Sequence, residues 1–295
     1  MADAGVRYAL VTGGNKGIGL EICKQLASKG IKVILTSRDE KRGLEALQIL
    51  NHSGLSHHVD FLQLNVVDSA SIAAAVQFLT TKSNLNNAGI LGVELEGDIS
   101  IFQELVEPNA ATVFANSEVE TPLQLKAKGT MIQTYEAGEK CIQTNFYGVK
   151  RVTEALIPLL QLSDSPTIVN VSSILGHLRL LRNERAKAVL SNEAGLTEES
   201  VDGVVREFLK DFKEEIGREQ VAESRAAYKV SKAALNGYTK VLAKKHADFV
   251  INSLCPGFSR TDITSNLGAI SAEEAGGRVV KLALLPRGGP TGLLY

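Results

Sequence analysis

Short apolar runs alternate with helix-patterned segments along most of the chain. Residues 8–12, 33–36, 61–66, 167–171 and 250–254 carry the density of branched apolar residues expected of buried strands. Between them, residues 21–28, 41–50, 69–79, 228–245 and 272–284 place apolar positions at helical spacing. Strands of this length separated by helices of this length predict βαβ units and an α/β fold with a doubly wound parallel sheet. Residues 91–128 and 177–225 break the rhythm and are too long for simple connections. Each is expected to be a helical insertion in one domain spanning residues 1–295, and the second is expected to form a lid over a pocket.

The first strand runs into Thr12-Gly13-Gly14-Asn15-Lys16-Gly17-Ile18-Gly19. Glycines let a backbone turn sharply and let a ligand approach without a Cβ in the way. The amides that open the following helix would then face a phosphate. A glycine-rich turn alone is weak evidence; between a first strand and a first helix it points to a dinucleotide. The second strand ends in neutral Ser37, followed by Arg38 and, four places on, Arg42. An acid at that position would hold ribose hydroxyls, whereas cations suit a 2′-phosphate. Lys16, Arg38 and Arg42 together favour NADPH, with Asp39 beside Arg38 as the contrary feature. Read singly, each cation is a solvated surface residue.

Tyr228-Lys229-Val230-Ser231-Lys232 puts a tyrosine and a lysine four apart on one helix face. A lysine so placed would lower a phenol that ordinarily ionises near pH 10, giving a general acid. Such pairs also arise by chance. Ser172 and Ser173 end the strand at 167–171, at the carboxyl end where open α/β sheets bind ligands; serines there are more often turn residues. Asn145 lies inside a long helix, where an asparagine is usually tolerated polar surface.

Taken together, Thr12 to Gly19, Asn86-Asn87-Ala88-Gly89, Asn145, Ser173, Tyr228, Lys232 and Pro256-Gly257 resemble the short-chain dehydrogenase/reductase family along essentially the whole chain. The phrase Leu156-Ile157-Pro158-Leu159-Leu160-Gln161 and the long insertion before Tyr228 are similar to a plant group of that family, the one containing salutaridine, neomenthol and menthone oxidoreductases. The resemblance implies a Rossmann-type fold. It implies NADP(H)-dependent, reversible reduction of a ketone on a small lipophilic, terpenoid- or alkaloid-like substrate in plant specialised metabolism. Tyr228 would protonate the nascent alkoxide, Lys232 would lower the phenol and hold the nicotinamide ribose, Ser173 would bond the carbonyl oxygen, and Asn145 would position a relay water. Ser173 is chosen over Ser172 because Gly176 follows three places later. Gly13, Asn15, Lys16, Gly17, Ile18 and Gly19 would hold the pyrophosphate. Ser37, Arg38 and Arg42 would take the 2′-phosphate. Asn65, Val66, Asn87, Ala88 and Gly89 would line the adenosine side, and Pro256, Gly257 and Thr261 the nicotinamide end. Within the group a monomer is expected. A catalytically silent dinucleotide-binding or sensor protein on the same fold is the alternative. Leu178, Leu180, Leu181, Val189 and Leu190 either line a lipophilic pocket or form the core of the second insertion.

Composition narrows the partners. Apolar residues make up 44% and charged residues 22%, with a formal net charge of −1, which attracts neither nucleic acid nor an acidic membrane. Three scattered cysteines and five histidines form no disulfide frame and no metal-ligand spacing. No secretory leader or membrane-length run is evident, so a cytoplasmic location is expected. One feature is out of pattern. Ahead of Asn86 the family has a glycine turn and an apolar strand, whereas here only Lys82-Ser83-Asn84-Leu85 is available after the third helix. At about 3.3 Å per residue these cannot both leave the helix and cross a sheet. Either residues have been lost from this sequence, which is the favoured reading, or a true deletion has damaged the sheet.

Overall fold

The computed structural model describes residues 7–81, 88–92, 134–217, 225–264 and 266–295. Among the described residues six parallel strands form one sheet in the order β3-β2-β1-β4-β5-β6. They are β1 (Tyr8–Val11), β2 (Lys32–Ser37), β3 (Val59–Gln63), β4 (Ala88–Gly92), β5 (Thr167–Val171) and β6 (Val250–Leu254). Helices α1 (Gly17–Ala27), α2 (Glu40–Leu50) and α9 (Ala272–Ala283) cover one face. The other carries α3 (Ser69–Thr81), the unbroken helix made of α4 (Tyr135–Ile142), a π-helical turn (Gln143–Gly148) and α5 (Val149–Leu160), and α8 (Ala226–Lys245). Each face has its own apolar core, as helices on both sides of a parallel sheet require. The chain order reverses between β1 and β4, the switch point at which doubly wound sheets open a ligand crevice.

The sheet is continuous with the sequence as it stands. β4 lies between β1 and β5, with Tyr8 opposite Ala88 and Val11 opposite Leu91 on one side, and Gly89 opposite Thr167 and Gly92 opposite Asn170 on the other. It is built from the motif residues themselves. Glycine weakens a strand by roughly 1 kcal/mol. Leaving the buried edges of two strands unpaired costs about 1–3 kcal/mol for each orphaned group. Ladder formation therefore wins, and the chain slides Ala88-Gly89-Ile90-Leu91-Gly92 into the gap.

The second insertion contains α6 (Glu184–Ser191) and α7 (Glu198–Gly217). Leu181 and Leu190 are buried in the core, and Leu178 and Val189 pack against it, so these four serve the insertion's own packing. α7 lies against α4 and α8. The approach is close because glycines face it: a Cβ on Gly138 would fall 2.3 Å from the Phe212 ring, and one on Gly237 would fall 3.3 Å from Val201. Lys150 on α5 reaches Asp202 on α7 at 2.6 Å, tying the insertion to the helix that holds Asn145. Of the first insertion, residues 93–128 lie outside the described residues, while Leu91 and Gly92 belong to β4.

A continuous sheet has a measurable consequence. The purified 31.6 kDa chain is expected to melt in one cooperative transition by circular dichroism, with the intact mass confirmed on the same sample. A broad, non-cooperative melt at that mass would mean that β4 does not close the sheet.

Candidate active site

The glycine turn leaves β1 at its carboxyl end and enters α1 at Gly17, earlier than the expected residue 21. Gly13 and Gly17 have φ of 62° and 53°, the left-handed region that favours glycine. A Cβ on Gly19 would sit 2.2 Å from the Gly13 carbonyl oxygen, so the turn folds back onto the helix start. Lys16 occupies the N-cap without a side-chain cap, and the first turn of α1 has no acid. Its opening amides are therefore offered to an outside anion, as a pyrophosphate requires. The residues present fit a dinucleotide.

At the adenosine corner, Ser37 is buried and its hydroxyl turns back on Asp39, accepting from the Asp39 amide at 3.2 Å. Asp39 caps α2 by accepting from the Arg42 amide at 3.0 Å. The acid that argued against a 2′-phosphate is thus engaged by its own helix. Arg42 Nε is 3.9 Å from Asp39, with both side chains exposed. Such a surface pair is worth about 1 kcal/mol at most and can yield to a phosphate. Lys16 does not converge with the arginines as expected. It reaches across to Asp262, in the segment after β6, at 3.0 Å. The two sides of the crevice meet again where a Cβ on Gly17 would lie 3.4 Å from Thr261.

One further expectation needs correction. Ala88 and Gly89 were expected after β4 beside the adenosine; they form its amino-terminal end, opposite Tyr8 and Ala9. That places them roughly 10 Å, or three residues, from the carboxyl edge. Asn87 lies outside the described residues. Val66 is a core residue, packed where a Cβ on Gly148 would meet it at 2.6 Å. Asn65 uses its side-chain oxygen to accept from the Val67 amide at 3.3 Å.

The catalytic candidates come together at the carboxyl ends of β5 and β6. Ser173 follows β5 and caps a one-turn helix, accepting from the Leu175 amide at 3.2 Å. Its hydroxyl also hydrogen-bonds Tyr228. Gly176 lets this turn rest on α8: a Cβ there would lie 2.9 Å from Lys232 backbone carbon. Lys232 is buried, donates to the Val171 carbonyl at 3.0 Å and stands 5.7 Å from the Tyr228 ring centroid. Asn145 is buried in the π-helical turn, a distortion frequent at functional sites. Burial pushes Tyr228 above its ordinary value, and the Ser173 hydrogen bond acts the other way.

Several contributors carried no local signal. Asp262 pairs with Lys16 from 246 positions away. Arg278 on α9 donates to the Pro256 carbonyl at 3.3 Å and to Glu274 at 2.8 Å, bracing the turn at Gly257, whose φ is 90°. Cys255 accepts from the Ile174 amide at 3.1 Å, joining the Ser173 turn to the end of β6. The Cys141–Asn145 spacing of four is the exception, since it places both on one helix face.

The sequence profile described as short chain dehydrogenase matches residues 7–135. The (-)-isopiperitenone reductase of Mentha piperita is 54% identical over 98% of this chain and 96% of its own. The chain belongs to the short-chain dehydrogenase family. The (+)-neomenthol dehydrogenase of Capsicum annuum is 50% identical, covering 98% of this chain and 95% of its own. Among solved structures, salutaridine reductase from Papaver somniferum superposes with a TM-score of 0.83 at 42% identity, covering 98% of this chain and 99% of that one. That superposition over nearly the whole of both chains gives this chain the family's Rossmann fold.

The direction of the Tyr228 shift gives a test on the cofactor-free protein. A buried phenol held above its ordinary value of about 10 stays protonated through neutral and mildly alkaline pH. The ultraviolet difference titration of wild type against Tyr228→Phe should therefore show no phenolate step below pH ~10. A step near neutrality would show that Lys232 controls the group after all.

Proposed function

We propose that the protein reduces a ketone on a small lipophilic molecule to a secondary alcohol, using NADPH, and that it runs the reaction in reverse as an alcohol dehydrogenase. The observation that carries the reading is the Ser173–Tyr228 hydrogen bond at the carboxyl end of β5, on the same sheet edge as the glycine turn. Bound NADPH would supply hydride to the carbonyl carbon. Ser173 and Tyr228 would both hydrogen-bond the substrate oxygen, and Tyr228 would release its proton as that oxygen becomes alkoxide. A phenol kept protonated by burial suits a donor. Lys232 would hold the ribose hydroxyls and refill Tyr228, and Asn145 would serve the proton supply. The complete set of acid, hydroxyl, cation and amide argues against a silent sensor.

NADPH is favoured over NADH because Arg38 and Arg42 flank the corner after β2 while Asp39 is occupied as a helix cap. Family relatives include a carbonyl reductase named for NADPH in Mus musculus, 33% identical over 94% of this chain. The substrate class follows the relatives named for isopiperitenone, neomenthol and salutaridine, which are terpenoid and alkaloid ketones or alcohols. Apolar side chains are exposed where such a molecule would sit: Ile174 beside Ser173, and Leu267 in the loop after Thr261. We assign the protein to the cytoplasm; no helix among the described residues is long and apolar enough to cross a membrane. It is proposed to act as a monomer, because α7 covers the faces of α4 and α8 that another copy would use.

A ketone panel with both cofactors checks the reading. kcat/KM should be higher with NADPH, and Arg38→Asp should reverse much of that ratio. Tyr228→Phe should lower kcat by about 10²-fold or more while NADPH still binds. Better turnover with NADH, or near-normal turnover by the Phe variant, would refute the cofactor or the acid respectively. Light scattering at micromolar protein should give a mass near 31.6 kDa; a stable dimer would refute the monomer.

A further inference from the structure

Asn236 lies on α8 four places beyond Lys232 and eight beyond Tyr228, so the three share one stripe of the helix. It is buried and has so far been given no part in the reaction. Its Nδ2 donates to the Gly176 carbonyl at 3.3 Å. A Cβ on Gly176 would fall 3.0 Å from that nitrogen, so the missing side chain is what lets the two meet. If the amide were turned over, its oxygen would face the carbonyl oxygen. Asn236 Oδ1 is buried with no hydrogen-bond partner. An amide buried with half its capacity unmet adds less stability than a well-packed apolar side chain of its size. What it does supply is a fixed place for the Gly176 carbonyl.

Gly176 ends the one-turn helix Ile174–Gly176 that Ser173 caps. A single helical turn does not hold itself in place. Two ties fix its start: the Leu175 amide donates to Ser173 Oγ at 3.2 Å, and the Ile174 amide donates to Cys255 Sγ at 3.1 Å. Asn236 fixes its end, against the helix that carries Tyr228. We propose that Asn236 is a positioning residue for ketone reduction: by holding the Gly176 carbonyl it sets the turn on α8, and so keeps the Ser173 hydroxyl at Tyr228. The proposal rests on the reductase reading above. In that reading Ser173 and Tyr228 must meet one substrate oxygen, yet they come from different elements, one after β5 and one on α8. Without a tie between those elements the two hydroxyls can drift apart while each element stays folded.

The test uses the purified full chain with NADPH and the best ketone of the panel. Asn236→Leu keeps the bulk and removes the donor. It should lower kcat by about tenfold or more, since misplacing a reacting group by about 1 Å can cost on the order of 10²-fold. Its NADPH affinity should stay within about twofold, since no phosphate or ribose contact is touched. A double-mutant cycle shows the route of the effect. If Asn236 acts through Ser173, Asn236→Leu in a Ser173→Ala background should cost less than about twofold. The backbone amides of Leu175, Gly176 and His177 bond within the turn. In the cofactor-free protein they should exchange faster in Asn236→Leu by up to about tenfold, the weight of one lost hydrogen bond. If Asn236→Leu does not fold, Asn236→Ala is read in the same way. Wild-type kcat in a folded variant, wild-type exchange of those amides, or an equal loss in both backgrounds would each overturn the proposal; the last would make Asn236 merely structural. A wild-type protein that reduces no ketone would instead overturn the reductase reading, while the amide exchange would still decide whether Asn236 holds the turn.

Discussion

A parallel sheet covered by helices on both faces has no water to satisfy its backbone. β1 and β5 therefore need a strand between them, and the rest of the molecule depends on that strand being present. β4 meets the need with two alanine- and glycine-rich residues, Ala88 and Gly89, at its start. Those residues are poor strand formers, and their placement shows how the balance falls. Two ladders of buried hydrogen bonds outweigh a local preference of about a kilocalorie per residue. With β4 in place, the carboxyl ends of β1, β4 and β5 form one edge, and the glycine turn and Ser173 stand on it together.

The opposite requirement governs the helices. Asn145, Tyr228 and Lys232 sit on helices whose far faces need a cover of their own. The second insertion resolves this by laying α7 over α4 and α8, with Gly138 and Gly237 allowing close contact and the Lys150–Asp202 pair joining α7 to α5. The Lys150 and Asp202 side chains are only 14% and 22% exposed, so their geometry is held more firmly than that of a surface pair. The faces of α4 and α8 that meet α7 are thereby interior surface.

Legibility in the sequence followed the range of the interaction. The glycine turn and the Tyr228–Lys232 spacing are written within a few residues, and the structure places the first between β1 and α1 and the second on α8. Ser173 was distinguished from Ser172 by Gly176, and the structure gives the reason in the contact of that turn with Lys232. Interactions between distant segments left no such trace. Nothing near Lys16 announces Asp262, so three cations read as converging when one of them turns the other way. The β4 register was misread for a related cause: a motif carries its usual position with it, but backbone pairing between neighbouring strands decides where residues lie. At Tyr228 the spacing reveals a neighbouring charge and does not reveal burial.

Burial is also what links the site's parts. A phenol surrounded by protein stays in its protonated form, which is the form a proton donor must have. Lys232 is buried beside the phenol. A buried side-chain oxygen without a hydrogen-bond partner lies on the neighbouring helix, in Asn145 Oδ1. The π-helical turn at Gln143–Gly148 is the local distortion that carries this amide inward, and the Cys141 thiol and the Ser231 hydroxyl set which end of it is left free.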